Sequence, residues 1–61
     1  MKQYNWTAYY DGVKLFDFVS VSAGSAAWYD GHVNAKKIVE EYIEEFNEDS
    51  FMVIKGKEVK V

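Results

Sequence analysis

Asn34–Asn47 reads NAKKIVEEYIEEFN, and its spacing is that of a helix with one apolar side. Ala35, Ile38, Val39, Tyr42, Ile43 and Phe46 recur at the three- and four-residue intervals that line up on a 3.6-residue turn. Glu40, Glu41, Glu44 and Glu45 fall between them and point the other way. One side of such a helix needs an apolar partner, and the flanking segments read as the sheet that supplies it.

Upstream, Tyr4–Tyr10 and Val13–Val21 are rich in β-branched and aromatic residues and are separated by Asp11-Gly12. A two-residue Asp-Gly loop is a strong hairpin signal, because a type I′ turn requires positive φ at both positions. An unbroken ladder through that turn sets Tyr10 against Val13, Ala8 against Leu15, Trp6 against Asp17 and Tyr4 against Val19. This is the more apolar face and the one expected under the helix, although Asp17 interrupts it. Tyr9, Thr7 and Asn5 then share the outer face with Lys14, Phe16 and Phe18.

Ser25 is a suitable cap for the helix start, and Trp28, Gly31 and Ala35 extend the stripe backwards. Glycine inside a helix costs about 1 kcal/mol relative to alanine. The expectation is therefore an irregular first turn near Asp30-Gly31, followed by a firm helix from His32 to Asn47. The tail SFMVIKGKEVKV suits a second hairpin around Gly56-Lys57, which sets Lys55 opposite Glu58 and Ile54 opposite Val59. Its alternative is one long strand bent at Gly56. The fold class is α+β, a ββα unit followed by one long or two short strands, with one acidic amphipathic helix packed on one face of an antiparallel sheet.

A chain of 61 residues is one small domain, which buries only about 60% of the surface its unfolded form exposes. Without cysteine it has neither disulfides nor thiolate metal sites, and one histidine builds no imidazole site. No cofactor or metal is expected. No apolar run approaches the ~20 residues of a membrane span, and no signal peptide is visible, so a cytoplasmic location is expected. Two Trp, five Tyr and four Phe supply the core.

The net charge of −3 is unevenly spread: Glu40, Glu41, Glu44, Glu45, Glu48 and Asp49 lie within ten consecutive residues. All the basic residues are lysine, and the missing arginine removes the planar fork that reads phosphates and base edges. Nucleic acid is therefore not the expected partner. On a helix reaching Asn47, the later carboxylates oppose the macrodipole, and Lys36 and Lys37 precede Glu40 and Glu41 in the weaker i,i+4 order. These costs are explained if the carboxylates form a partner-binding surface that imitates nucleic-acid phosphates. A solvated face that keeps the protein soluble is the plainer reading.

Tyr9, Phe16 and Phe18, with Phe51 and Val53 near them, make an aromatic outer patch suited to a partner or a homodimer. A patch of this kind also stacks single-stranded bases, with Lys55, Lys57 and Lys60 as the basic complement, but the charge nearby is sparse. Ser25, Asp30 and His32 contain the residue types of a hydrolytic triad, without a nucleophile elbow or oxyanion loop. The exposed glutamates have no cleft to split their pKa values. No catalytic residues are assigned.

In plan and size, a hairpin, an acidic helix and a closing strand, the chain resembles small phage-encoded host-modulating proteins; no motif carries the likeness. No family is assigned on that likeness; a chain of viral source is expected in the host cytoplasm. From the charge pattern, the expected function is a non-enzymatic binding module or inhibitor for a basic nuclease, nucleic-acid-binding enzyme or toxin. A single-strand-binding sheet and a structural homodimer subunit are the alternatives.

Overall fold

A computed structural model of the chain describes residues 2–21 and 26–60, with only the backbone described at residues 26–28 and 30. Strands β1 (Gln3–Tyr10), β2 (Val13–Val21) and β3 (Phe51–Val59) form an antiparallel sheet in the order β2-β1-β3. Helix α1 (Ala26–Tyr42) and a 3₁₀ turn (Glu48–Ser50) connect β2 to β3. The α+β plan is as expected, and the tail is one long strand.

The hairpin turn forms as its sequence requires, with φ of 53° at Asp11 and 80° at Gly12. The ladder beyond it departs from the expected register. Tyr10 faces Val13 and Tyr9 faces Lys14, but Ala8 faces Phe16, Trp6 faces Phe18 and Tyr4 faces Ser20. Leu15 is an extra residue in β2, a β-bulge that moves every later side chain of the strand to the opposite face. Phe16 and Phe18 turn inward with Ala8 and Trp6. Asp17 turns outward, where its Oδ1 accepts a 2.7 Å hydrogen bond from Thr7 Oγ1 and its Oδ2 lies 3.5 Å from Lys14 Nζ. The physical reason is the charge: the unbroken register would press a carboxylate against Trp6 under the helix, where ionised groups are strongly disfavoured.

The core is Trp6, Ala8, Val21, Ala35 and Val39, with Ser20 buried among them. Trp6 Nε1 donates to the carbonyl oxygens of Ser20 and Val21, each at 3.2 Å, which satisfies the one polar group of its ring.

Helix α1 differs from expectation at both ends. It runs unbroken through Gly31 instead of starting at His32. A Cβ added at Gly31 would lie 3.0 Å from Ser20 Oγ and 3.5 Å from Ser20 Cβ. Glycine thus lets the helix approach β2 closely, and packing outweighs its poor propensity. Ser25, the expected cap, lies outside the described residues, as does the side chain of Trp28. At the other end the helix stops at Tyr42, with Ile43 N still donating to Val39 O at 3.0 Å. Glu45 takes a φ of 56°, and the chain reverses. The reversal carries Phe46 onto Tyr10 and Phe51, with ring centroids 5.4 and 6.0 Å away, while Asn47 N donates to Tyr10 Oη at 2.8 Å. Phe46 is apolar because it joins this aromatic end, not because the helix reaches it.

In β3 the pairs Tyr10/Phe51 through Trp6/Lys55 are regular; then Gly56 and Lys57 together oppose Asn5, and the ladder resumes at Tyr4/Glu58. A Cβ added at Gly56 would lie 2.5 Å from the Asn5 carbonyl oxygen, a backbone atom that cannot swing away. Lys55 reaches back so that its ammonium sits 4.1 Å from the centroid of the Tyr4 ring. Gly56→Ala is expected to destabilise the protein by about 1–3 kcal/mol, by overpacking against β1. Urea denaturation of the two proteins measures it, and Lys57→Ala beside it should change stability by less than about 0.5 kcal/mol.

Candidate functional site

The acidic residues do not share one helix face. Glu40 and Glu41 lie in the last turn of α1, Glu44 and Glu45 in the reversing turn, and Glu48 and Asp49 in the 3₁₀ turn. All six are exposed. The helix is shorter than its periodicity predicts, so only Glu40 and Glu41 oppose the negative end of its macrodipole from within the helix. Glu48 and Asp49 begin the 3₁₀ turn, where Asn47 Oδ1 accepts from Asp49 N at 3.1 Å. Glu48 also bonds through Oε1 to Nζ of the half-buried Lys36, so its charge serves to fasten the turn to the helix. Glu40, Glu41, Glu44, Glu45 and Asp49 make no ion pair among the described residues.

The expected aromatic patch is not assembled. Tyr9 is on the outer face, paired with Lys14 and Met52, whereas Phe16 and Phe18 lie on the helix side with centroids 6.3 Å apart. Phe51 and Val53 are likewise inward, opposite Tyr10 and Ala8. The Leu15 bulge is the cause of the exchange in β2. The outer face instead exposes Val19, Met52 and Ile54 around the Thr7–Asp17 hydrogen bond. Of the lysines considered for base stacking, Lys55 is turned to the Tyr4 ring on the helix side, apart from Tyr9.

A groove of about 300 Å³ lies where the C-terminal half of α1 meets the outer edge of β2. It is lined by Leu15, Phe16, Ile38, Val39, Tyr42 and Ile43. Tyr42, assigned to the buried stripe by its spacing, is 86% exposed on its margin. Neither periodicity nor composition indicates this groove, because it exists only once the bulge has brought Leu15 beside Phe16 and the helix has ended above them. Its lining is apolar apart from Tyr42.

His32 sets the edge of its ring against Phe51, centroids 5.9 Å apart. Ser25 and the side chain of Asp30 lie outside the described residues, so the triad reading gains no geometry. Among the described residues no group of three potential ligands could hold a metal ion, and no helix is long and apolar enough to cross a membrane. Comparison with protein-family models, curated proteins and solved structures gives no match.

The Asp17 carboxyl is held below the usual carboxylate range, first by the hydrogen bond from Thr7 and then by the neighbouring Lys14 charge, against some desolvation. A depressed carboxyl contributes stability that is present above its unfolded pKa and is lost as pH falls through the lower folded value. Thr7→Val should therefore move the Asp17 titration upward, and the variant's shortfall in stability should fade as the solution is acidified below the ordinary carboxylate range. Carbon-detected NMR titration of Asp17 and urea melts at neutral and acidic pH measure the two effects.

Proposed function

We propose that this chain is a non-enzymatic protein-binding module whose acidic end engages a basic surface on another macromolecule. The observation that carries the reading is the set of five exposed carboxylates, Glu40, Glu41, Glu44, Glu45 and Asp49, that follow one another through the end of α1, its reversing turn and the 3₁₀ turn without ion pairs among the described residues. Lys36 is available nearby but is committed to Glu48. A macrodipole end that is already negative adds to the field instead of neutralising it. Charge concentrated in this way accelerates encounter with a cationic groove and discriminates between partners more than it adds raw affinity. The partner class that fits is a basic nucleic-acid-handling protein or toxin, whose phosphate-binding groove accepts carboxylates in place of phosphates. Single-strand binding fits less well, since Tyr9, Phe16 and Phe18 share no face on which bases could stack.

The quadruple variant Glu40→Gln, Glu41→Gln, Glu44→Gln, Glu45→Gln separates this reading from a merely solvated surface. It leaves Glu48 and its bond to Lys36 in place and should fold as well as wild type. Immobilised wild type should retain lysine- and arginine-rich proteins from a cell lysate, release them as salt screens the field, and associate about tenfold faster than the variant. Equal retention by both proteins would remove the acidic end from the function. Neither protein should bind single-stranded oligonucleotides at low salt, the condition that most favours such binding; micromolar affinity in that titration would favour the stacking sheet instead.

A further inference from the structure

The geometry points to β2 as a strand that pairs with β2 of a second copy, continuing the sheet across a twofold axis and closing the apolar groove beside it. This stands apart from the acidic-end reading and uses other residues.

The two free edges of the sheet are unlike. Both edge strands carry a bulge and expose apolar side chains, Met52 and Ile54 on β3. β3, however, sets Lys55 and Lys57 on either side of Gly56 in its bulge with no carboxylate between them, the lysines that blunt an edge against pairing with its own copy. β2 exposes Val13, Leu15 and Val19, at 63%, 41% and 53%, and only Lys14 and Asp17 interrupt them with charge. Those charges are self-complementary in an antiparallel arrangement. When Lys14 stands opposite Asp17 of the second copy, symmetry repeats the pair, and the strand ladder has an opposite-charge contact on each side of its centre. The same register sets Leu15 against Phe16 of the second copy and Val13 against Phe18.

Facing residues must share a face of the sheet, and this register satisfies that condition because of the bulge. Lys14 and Asp17 are both on the outer face, opposite Tyr9 and Thr7. Val13 and Phe18 are both on the helix side, opposite Tyr10 and Trp6. Leu15 and Phe16 both line the groove. In a strand without the extra residue, positions 14 and 17 would lie on opposite faces and could not pair. Centring the axis on Asp17 instead would set two carboxylates against each other, which disfavours that register. The occupant that matches both the apolar wall and the alternation of charge is thus the strand itself. Two grooves then share one wall, with Ile38 and the exposed Tyr42 of each copy at its rim.

Sedimentation velocity at about 50 μM tests the pairing. Wild type should run as a dimer. Lys14→Asp and Asp17→Lys should each weaken it about tenfold or more, because like charges then face each other twice. Mixed in equal amounts, the two variants should form a one-to-one heterodimer, since a strand with carboxylates at both positions then faces a strand with ammonium groups at both. The double variant Lys14→Asp, Asp17→Lys on one chain should dimerise like wild type, and it decides the matter if a single variant is unfolded by circular dichroism. A folded wild type that remains monomeric would overturn the pairing and leave the edge to a strand of another protein. Dimers that persist undiminished in both single variants would also overturn it, and would place self-association elsewhere, such as on Val19, Met52 and Ile54. So would folded variants that fail to recombine.

Discussion

Between Lys14 and Phe16, β2 carries one residue more than β1 pairs with, and the face of every later side chain in β2 follows from it. With the bulge, two phenylalanines and a serine close onto the helix while the one carboxylate of the strand reaches water, Thr7 and Lys14. Without it the same strand would send Asp17 to the core and two aromatic rings to solvent. Losing one regular pairing position is a small cost beside burying a charge. The bulge also brings Leu15 and Phe16 side by side, so the groove and the character of the β2 edge come from the same single residue.

At the opposite end, Tyr10 binds three segments together. Its ring meets Phe46, its hydroxyl accepts from Asn47 N, and its strand neighbour is Phe51, which in turn meets His32. Asp11 N donates to Ser50 O at 2.9 Å and ties the hairpin turn to the 3₁₀ turn. This aromatic end holds the reversing turn in position and therefore decides where Glu44, Glu45 and Asp49 are presented.

Features written in neighbouring residues were legible in the sequence, and those that depend on distant contacts were not. Asp11-Gly12 names its own turn, and Gly56 marks a bend whether the tail is a hairpin or one strand. The order of elements follows from their periods. The Leu15 bulge has no local signature, yet Asp17 on an otherwise apolar face was its trace. The helix end was hidden because Phe46 satisfies the i,i+4 pattern by coincidence: an apolar residue is recorded the same way whether a helix or a reversed chain buries it. The acidic cluster was legible in composition, but its division among helix, turn and 3₁₀ turn depends on where the helix stops. The groove required three segments to be assembled before it existed.

The first strand of the chain is the middle strand of the sheet, and its second neighbour is the last strand, with Gln3 set against Val59. The hairpin and helix precede β3 in the chain, and until β3 docks one side of β1 lacks the strand that covers it. A lone hairpin is marginally stable in water. The sheet is therefore complete only when β3 pairs across the full separation from Gln3 to Val59, a non-local contact of the kind that slows folding. Until that contact forms, the flank of β1 that β3 will cover is an unpaired strand edge, the kind of surface that recruits a strand from another chain.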